Sequence, residues 1–334
     1  MAPSPQRLVV IGASAGGVAA LRQLSAALPA NFGAPVLIVL HIGAHESLLP
    51  AMIAADCALD VAPAVDGEPL RPGTIRIAPP DRHLTVEDGT ARLMRSAKEN
   101  FARPAIDPLF RSAALDFDSR AIGVVLTGML DDGTAGLQAI KGAGGIAVVQ
   151  DPADALEPSM PASALRHVDV DHCVPLVEMP ALLARLVSSQ EGQRTTDMTE
   201  SRRRMSHEQA LSEGTGNYFE HLRAIADPSP LTCPECHGGL WHLRDSSPRR
   251  YRCHTGHGFT ARTLNVAAEE ESDNALWSAL RALHERAAVL GQLSAASRSE
   301  GRVDEAAELD RTADVVLRQA RDLRELLGQS SNAP

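Results

Sequence analysis

The stretch RLVVIGASAGG at residues 7–17 constrains the fold of this chain more than any other. A short unbroken apolar run ends in a glycine-rich turn with Ser14 at its centre, and a helical pattern follows over residues 18–28. A strand that is apolar on both faces belongs in a parallel sheet covered by helices on both sides. A strand, tight turn and helix in succession hold either a phosphate at the helix N-terminus or a small nucleophile on an exposed turn.

The same alternation continues to about residue 187. Strand-like runs lie at 8–11, 36–40, 74–78, 121–127, 146–150 and 170–174, and helix-like runs at 18–28, 105–115, 135–141, 160–165 and 179–187. Between Leu84 and Met94 the turn Glu87-Asp88-Gly89-Thr90 marks an antiparallel hairpin. The fold class expected is therefore α/β, a doubly wound and mostly parallel sheet with a β-hairpin insert. Aromatic residues make up only 3% of the chain, so its core rests on aliphatic side chains.

Beyond the α/β region, 1–187, the pattern changes. Residues 188–230 are polar, carry Arg202-Arg203-Arg204 and read as a linker, helical in part; residues 231–260 hold a cysteine–histidine cluster; residues 261–334 read as a helical hairpin. In that hairpin Leu276, Leu280, Leu283, Ala287 and Leu290 face Ala306, Leu309, Ala313, Val316, Ala320, Leu323 and Leu327. The seam suits packing of the two helices on each other, or docking of another helical protein. A net charge of −10 argues against nucleic acid as a partner. No apolar run approaches the roughly 18 residues of a membrane span, and the N-terminal MAPSPQR has no signal-peptide layout, so a cytoplasmic location is expected.

A dinucleotide site needs G-x-G-x-x-G and an acidic residue about 20 positions on. Here Ser14 replaces the second glycine, and His41 stands at the end of the second strand where the acid belongs. Both departures favour nucleophilic chemistry. A serine hydroxyl reacts only when a base takes its proton. In a parallel sheet Ser14 and His41 lie at the carboxyl edge, where sites of open α/β sheets form. A carboxylate should orient the imidazole, and the strand at 121–127 runs into Asp131-Asp132-Gly133 at that same edge. Spacing leaves Asp131 and Asp132 both open, and either also suits a helix N-cap.

The cysteine–histidine cluster has its own chemistry. Cys233 and Cys236 are spaced C-x2-C, and Cys253 and His257 follow as C-x3-H, close to zinc-ribbon patterns. Cys233, Cys236, Cys253 and His257 are the expected ligands of a structural Zn²⁺, with His254 or His237 as substitutes. Four protein ligands leave no place for a reactive water. No cofactor is expected for catalysis.

Six motifs, in order, carry a resemblance: IGASAGG at 11–17, LHIGA at 40–44, IAPPDRHL at 77–84, RPAIDPLFRSAA at 103–114, LTGMLDDGTAGL at 126–137 and QDPADALEPSMPASA at 150–164. Together they make residues 7–187 resemble the catalytic domain of the chemotaxis protein-glutamate methylesterase (CheB) family. The resemblance implies a serine hydrolase that removes methyl esters from glutamyl side chains of bacterial chemoreceptors and in some members deamidates glutamine. It implies Ser14 as nucleophile, His41 as base, Asp132 as the acid and the Met129 backbone N–H as an oxyanion donor. Arg103 and Arg111 are candidate contacts to an acidic receptor helix. The chain departs from the family at Ala15, at Ile42-Gly43 and at Leu130, and the first strand starts near Arg7, which leaves no room ahead of it for the family's usual phosphorylation-receiver domain. The alternative expectation is a non-catalytic signalling protein that keeps the fold for partner binding.

Overall fold

The computed structural model describes residues 6–43, 47–189 and 199–330. Its largest feature is a seven-stranded sheet built from β1 (Leu8–Ala13), β2 (Val36–Leu40), β3 (Asp60–Pro63), β4 (Thr74–Ile77), β7 (Ala121–Val125), β8 (Ile146–Gln150) and β9 (His172–Val174). The strand order is β3-β4-β2-β1-β7-β8-β9, and every pairing in it is parallel. The chain winds from β1 outward through β2 to one edge, then returns to β7 and winds to the other. The direction reverses beside β1, and a crevice opens there at the carboxyl ends of the strands.

Helices cover both faces, which explains the unbroken apolar strands. Along β1, Val9, Ile11 and Ala13 point into a core completed by α1 (Gly17–Ala26), α2 (Leu49–Ala54) and α6 (Met179–Ser188). Leu8 and Val10 point the other way, toward α3 (Ile106–Phe117), α4 (Thr134–Gly142) and α5 (Ser159–His167). The hairpin β5 (His83–Glu87) and β6 (Thr90–Met94) forms as its sequence predicts. Its two-residue loop places Asp88 at φ 50° and Gly89 at φ 67°, the left-handed pair that matches strand twist. The sequence pattern missed α2 and the edge strand β3. β3 is half-exposed and ends in a proline, so it lacks the apolar run that marks the inner strands.

The stretch expected as a polar linker contains α7 (Thr199–Glu213) and α8 (Tyr218–Ile225), while residues 190–198 lie outside the described part. A four-stranded antiparallel sheet follows: β10 (Ala226–Thr232), β11 (Gly239–Leu243), β12 (Arg250–Cys253) and β13 (Gly258–Thr260). All of this packs into one compact unit with the α/β sheet, ending at Leu264. The tether reading gives way here because α7 buries polar groups instead of an apolar stripe: Glu208, Gln209 and Ser212 are inside, with Met205 and Leu211 beside them.

The last two helices are α9 (Ala261–Ser299) and α10 (Val303–Ser330), and residues 265–334 form a second unit. Its seam is the expected one. Leu280, Ala287, Val316, Ala320 and Leu327 are buried, with Leu276, Leu283 and Leu323 packed against them. No helix among the described residues is long and apolar enough to cross a membrane.

Candidate active site

Three loops meet at the crevice beside β1. Ala13 of β1 pairs with Leu40 of β2, and Ser14 and His41 each follow by one residue. The His41 N–H donates to the Ala13 carbonyl at 3.2 Å, so the two loops leave the sheet together. The Ser14 N–H donates to the Thr127 carbonyl at 3.0 Å, which ties the serine turn to the loop after β7. Gly16 then takes φ 78° to open α1, a conformation costly for any residue with a Cβ. Gly128 packs so closely that a Cβ there would lie 2.8 Å from Ser14 Cβ and 2.1 Å from Met160 Sδ.

His41 Nε2 lies 2.7 Å from Asp132 Oδ2. The Asp132 carboxylate is buried and receives four further donors. The Ile106 N–H reaches Oδ2 at 2.7 Å, and Asn100 Nδ2, the Gly133 N–H and the Asp107 N–H reach Oδ1 at 3.0, 3.0 and 3.3 Å. Asp132 thus caps the N-terminus of α3 from a distant loop, where backbone donors and the helix dipole favour negative charge. Burial alone would raise its pKa, but the His41 contact and these donors hold it below the usual carboxylate range. An ionised carboxylate only accepts, so His41 Nε2 carries the proton of the pair and Nδ1 is the basic nitrogen. The Ser14 hydroxyl makes no hydrogen bond among the described residues.

Asp131 has a different place. Its buried carboxylate accepts from Thr260 Oγ1 at 2.9 Å, and burial pushes its pKa up. Two residues that sequence reasoning missed complete the surroundings. Asp107 accepts the Gly136 N–H at 2.7 Å; burial pushes its carboxyl well up, and the charge on Asp132 adds to the effect. Two neighbouring carboxyls are thus driven apart in acidity, with the negative charge resting on Asp132. Asn100 donates to both, 3.0 Å from Asp132 and 3.3 Å from Asp107. Asn100 sits in an irregular stretch and carries no pattern a sequence reading could use.

Met129 is exposed, and its backbone N–H has no partner among the described residues. The two arginines depart from expectation. Arg111 is 2% exposed and is spent on Glu99 and Glu208, so it has no surface to offer a receptor helix. Arg103 is held by Asp81 and by the Ser96 carbonyl. Each arginine is paired within the fold, the buried Arg111 with Glu99 and Glu208 and the part-exposed Arg103 with Asp81.

The cysteine–histidine cluster assembles as its spacing predicts. The ligand atoms of Cys233, Cys236, Cys253 and His257 all lie within 4.8 Å of one another. Cys236 and Cys253 sulfurs are 3.7 Å apart, and His257 Nδ1 is 3.7 Å from the Cys233 sulfur and 3.5 Å from that of Cys253. A tetrahedron with Zn–S bonds of about 2.3 Å has edges of about 3.7 Å, so the donor set fits that metal. The cysteines are not disulfide-bonded. The substitutes stand elsewhere: His254 stacks on Phe219, and His237 takes the left-handed turn after Cys236 at φ 58°.

Comparison with known proteins agrees with this architecture. A sequence model of the CheB methylesterase family matches residues 9–183. The chain is 39% identical over 180 residues to a protein of Leptospira interrogans serovar copenhageni, provisionally named protein-glutamate methylesterase/protein-glutamine glutaminase; the match covers 53% of this chain and 93% of that one. It is 42% identical over 180 residues to protein-glutamate methylesterase/protein-glutamine glutaminase 2 of Anaeromyxobacter dehalogenans, covering 54% of this chain and about half, 53%, of that one. Among solved structures it is similar to the Thermotoga maritima CheB methylesterase catalytic domain, with 35% identity and a TM-score of 0.52 over 54% of this chain and 98% of that one.

Proposed function

The chain belongs to the CheB methylesterase family, and from that premise we propose that it hydrolyses methyl esters of glutamyl side chains on chemoreceptors or related signalling proteins, with Ser14, His41 and Asp132 as its catalytic residues. The observation that carries this reading is the 2.7 Å contact between His41 and a buried, multiply hydrogen-bonded Asp132, one register step from Ser14. His41 Nδ1 takes the Ser14 proton as the hydroxyl oxygen attacks the ester carbonyl. Asp132 holds the ring tautomer and stabilises the imidazolium. The Met129 N–H, unpaired among the described residues, stabilises the oxyanion with the amides of the serine turn. Collapse of the tetrahedral intermediate breaks the C–O bond to methoxide, which leaves with the His41 proton as methanol. Water then attacks the glutamyl-Ser14 ester by the same route and frees the carboxylate. An amide in place of the ester would release ammonia by the same steps, the glutaminase activity named in the relatives.

Cys233, Cys236, Cys253 and His257 would hold a zinc ion whose role is to brace the small sheet. Reduced thiols suit a cytoplasmic place of action.

The test is methanol release from a methyl-esterified receptor fragment. The wild-type chain should release it, and Ser14→Ala should lose at least about 10⁴-fold in turnover. Wild-type rates from Ser14→Ala would sink the assignment.

A further inference from the structure

Asn100 joins two parts of the molecule that the esterase chemistry does not explain. On one side its Nδ2 reaches Asp132 Oδ1 at 3.0 Å. On the other its Oδ1 accepts the Thr260 N–H at 3.2 Å and Thr263 Oγ1 at 3.1 Å, both at the β13–α9 junction. Its backbone is held too: the Asn100 N–H donates to the Gly258 carbonyl at 2.8 Å, and the Gly258 N–H donates to the Lys98 carbonyl at 3.2 Å. Asn100 and Phe101 take φ values of 50° and 63°, the left-handed pair of a two-residue turn closed by the Glu99 and Ala102 backbones. Phe101 packs on Phe259, with ring centroids 5.0 Å apart. The outer side of the turn is thus held from residues 258–263, and Gly258 directly follows the metal ligand His257.

Buried charges fix the same segment. Glu99 pairs with Arg111 of α3 at 2.9 Å and with Arg252 of β12 at 2.6 Å, and it accepts from Ser212 of α7 at 2.5 Å. Arg252 directly precedes the ligand Cys253. The loop that delivers Asn100 to the carboxylate is therefore shaped on its outer side by β12, which ends at Cys253, and β13, which starts directly after His257.

We propose that Asn100 is a positioning residue through which the metal-bearing sheet sets the Asp132 carboxylate, so that emptying the Cys233–Cys236–Cys253–His257 site slows chemistry at Ser14. This inference rests on the assignment of Ser14, His41 and Asp132 and on metal at the cysteine cluster. Without the sheet the Asn100 amide leaves Asp132, and the Asp132 carboxylate and the Asp107 carboxyl lose their shared donor. His41 is then presented to Ser14 less well.

The experiment uses the full chain and a fluorophosphonate probe that labels an activated serine. The rate is measured per labelled site and across pH, since a general loss of folded protein lowers the amount labelled but moves neither quantity. Asn100→Leu should slow labelling by about 10- to 100-fold and shift the midpoint of its pH dependence. Thr263→Val, which removes the Oγ1 donor to Asn100 Oδ1, should shift it in the same direction. Stripping zinc from the wild-type chain with a chelator should reproduce the Asn100→Leu rate and midpoint, re-adding zinc should restore both, and chelation of Asn100→Leu should change neither further. Unchanged rate and midpoint in the zinc-stripped chain, or effects of Asn100→Leu and chelation that multiply, would overturn the inference while leaving the Ser14 assignment intact. Equal labelling of Ser14→Ala would instead overturn that assignment, and purified protein without zinc would overturn the metal.

Discussion

His41 and Asp132 are 91 residues apart in the chain and 2.7 Å apart in space. The contact is one of five hydrogen bonds to a single carboxylate, and three of the others come from backbone N–H groups. Such a group is held in both position and charge.

Asp132→Asn should therefore be more damaging than the loss of one charge suggests. The new NH₂ must stand either where Oδ2 meets the Ile106 N–H and His41, setting donor against donor and reversing the imidazole tautomer, or where Oδ1 meets Asn100 Nδ2 and the Gly133 and Asp107 N–H groups, setting donor against donors. We expect a loss of about 10⁴-fold in kcat/KM for methanol release, with KM for the receptor fragment little changed.

Gly128→Ala tests how closely the serine turn is packed. Met160 can swing away from the added methyl, but Ser14 Cβ, 2.8 Å from it, sits on backbone and has to shift. A displacement of about 1 Å at a nucleophile costs about 100-fold in rate. The expected outcome is a folded protein with fluorophosphonate labelling of Ser14 reduced by that order.

Glu208→Ala should destabilise the whole first unit. Its carboxylate faces Arg111, Arg250 and Arg252, and the first and last of these are almost fully buried. Removing one partner of a buried pair costs about 3–5 kcal/mol because the opposite charge stays behind. Thermal melting should show a lowered Tm, and Glu208→Gln, which keeps the shape and some hydrogen bonding, should fall between.

Acid should loosen the same region. Burial by itself would raise the Glu208 pKa, but the charges of Arg250, Arg111 and Arg252 bring it down from the usual 4.5 to about 2. Glu99, beside Arg111 and Arg252, is lowered likewise. A depressed carboxylate pKa contributes stability above the unfolded value, and that stability is lost as pH falls toward the folded value. Tm measured from pH 5 down to pH 2 should drop steadily, and Glu208→Gln should flatten the drop.

The sheet, the hairpin and the carboxyl-edge placement of Ser14 and His41 were legible because each rests on a local pattern: apolar runs, a two-residue Asp-Gly turn, glycines at a strand end. The spacing of Cys233, Cys236, Cys253 and His257 was legible for the same reason. Choosing Asp132 over Asp131 needed the family resemblance, since both are buried acids and only their partners differ. The packing of α7 was not legible because periodicity detects apolar stripes, and this helix is buried through Glu208, Gln209 and Ser212. Arg111 looked like a surface contact because its partners, Glu99 and Glu208, come from segments 12 and 97 residues away. Asn100 and Asp107 were invisible for the same reason: each owes its role to groups brought in by distant chain.

The Glu99–Arg111–Glu208–Arg252 network also decides where this protein can be cut. The family match stops at residue 183, which invites a fragment ending there. Such a fragment would keep Arg111 and Glu99 but surrender the side chains that neutralise and enclose them, and its Asn100 loop would face water. In this chain the α/β fold shares buried charges with residues beyond 183, and a miniature trimmed to the familiar half would open Arg111 and Glu99 to water.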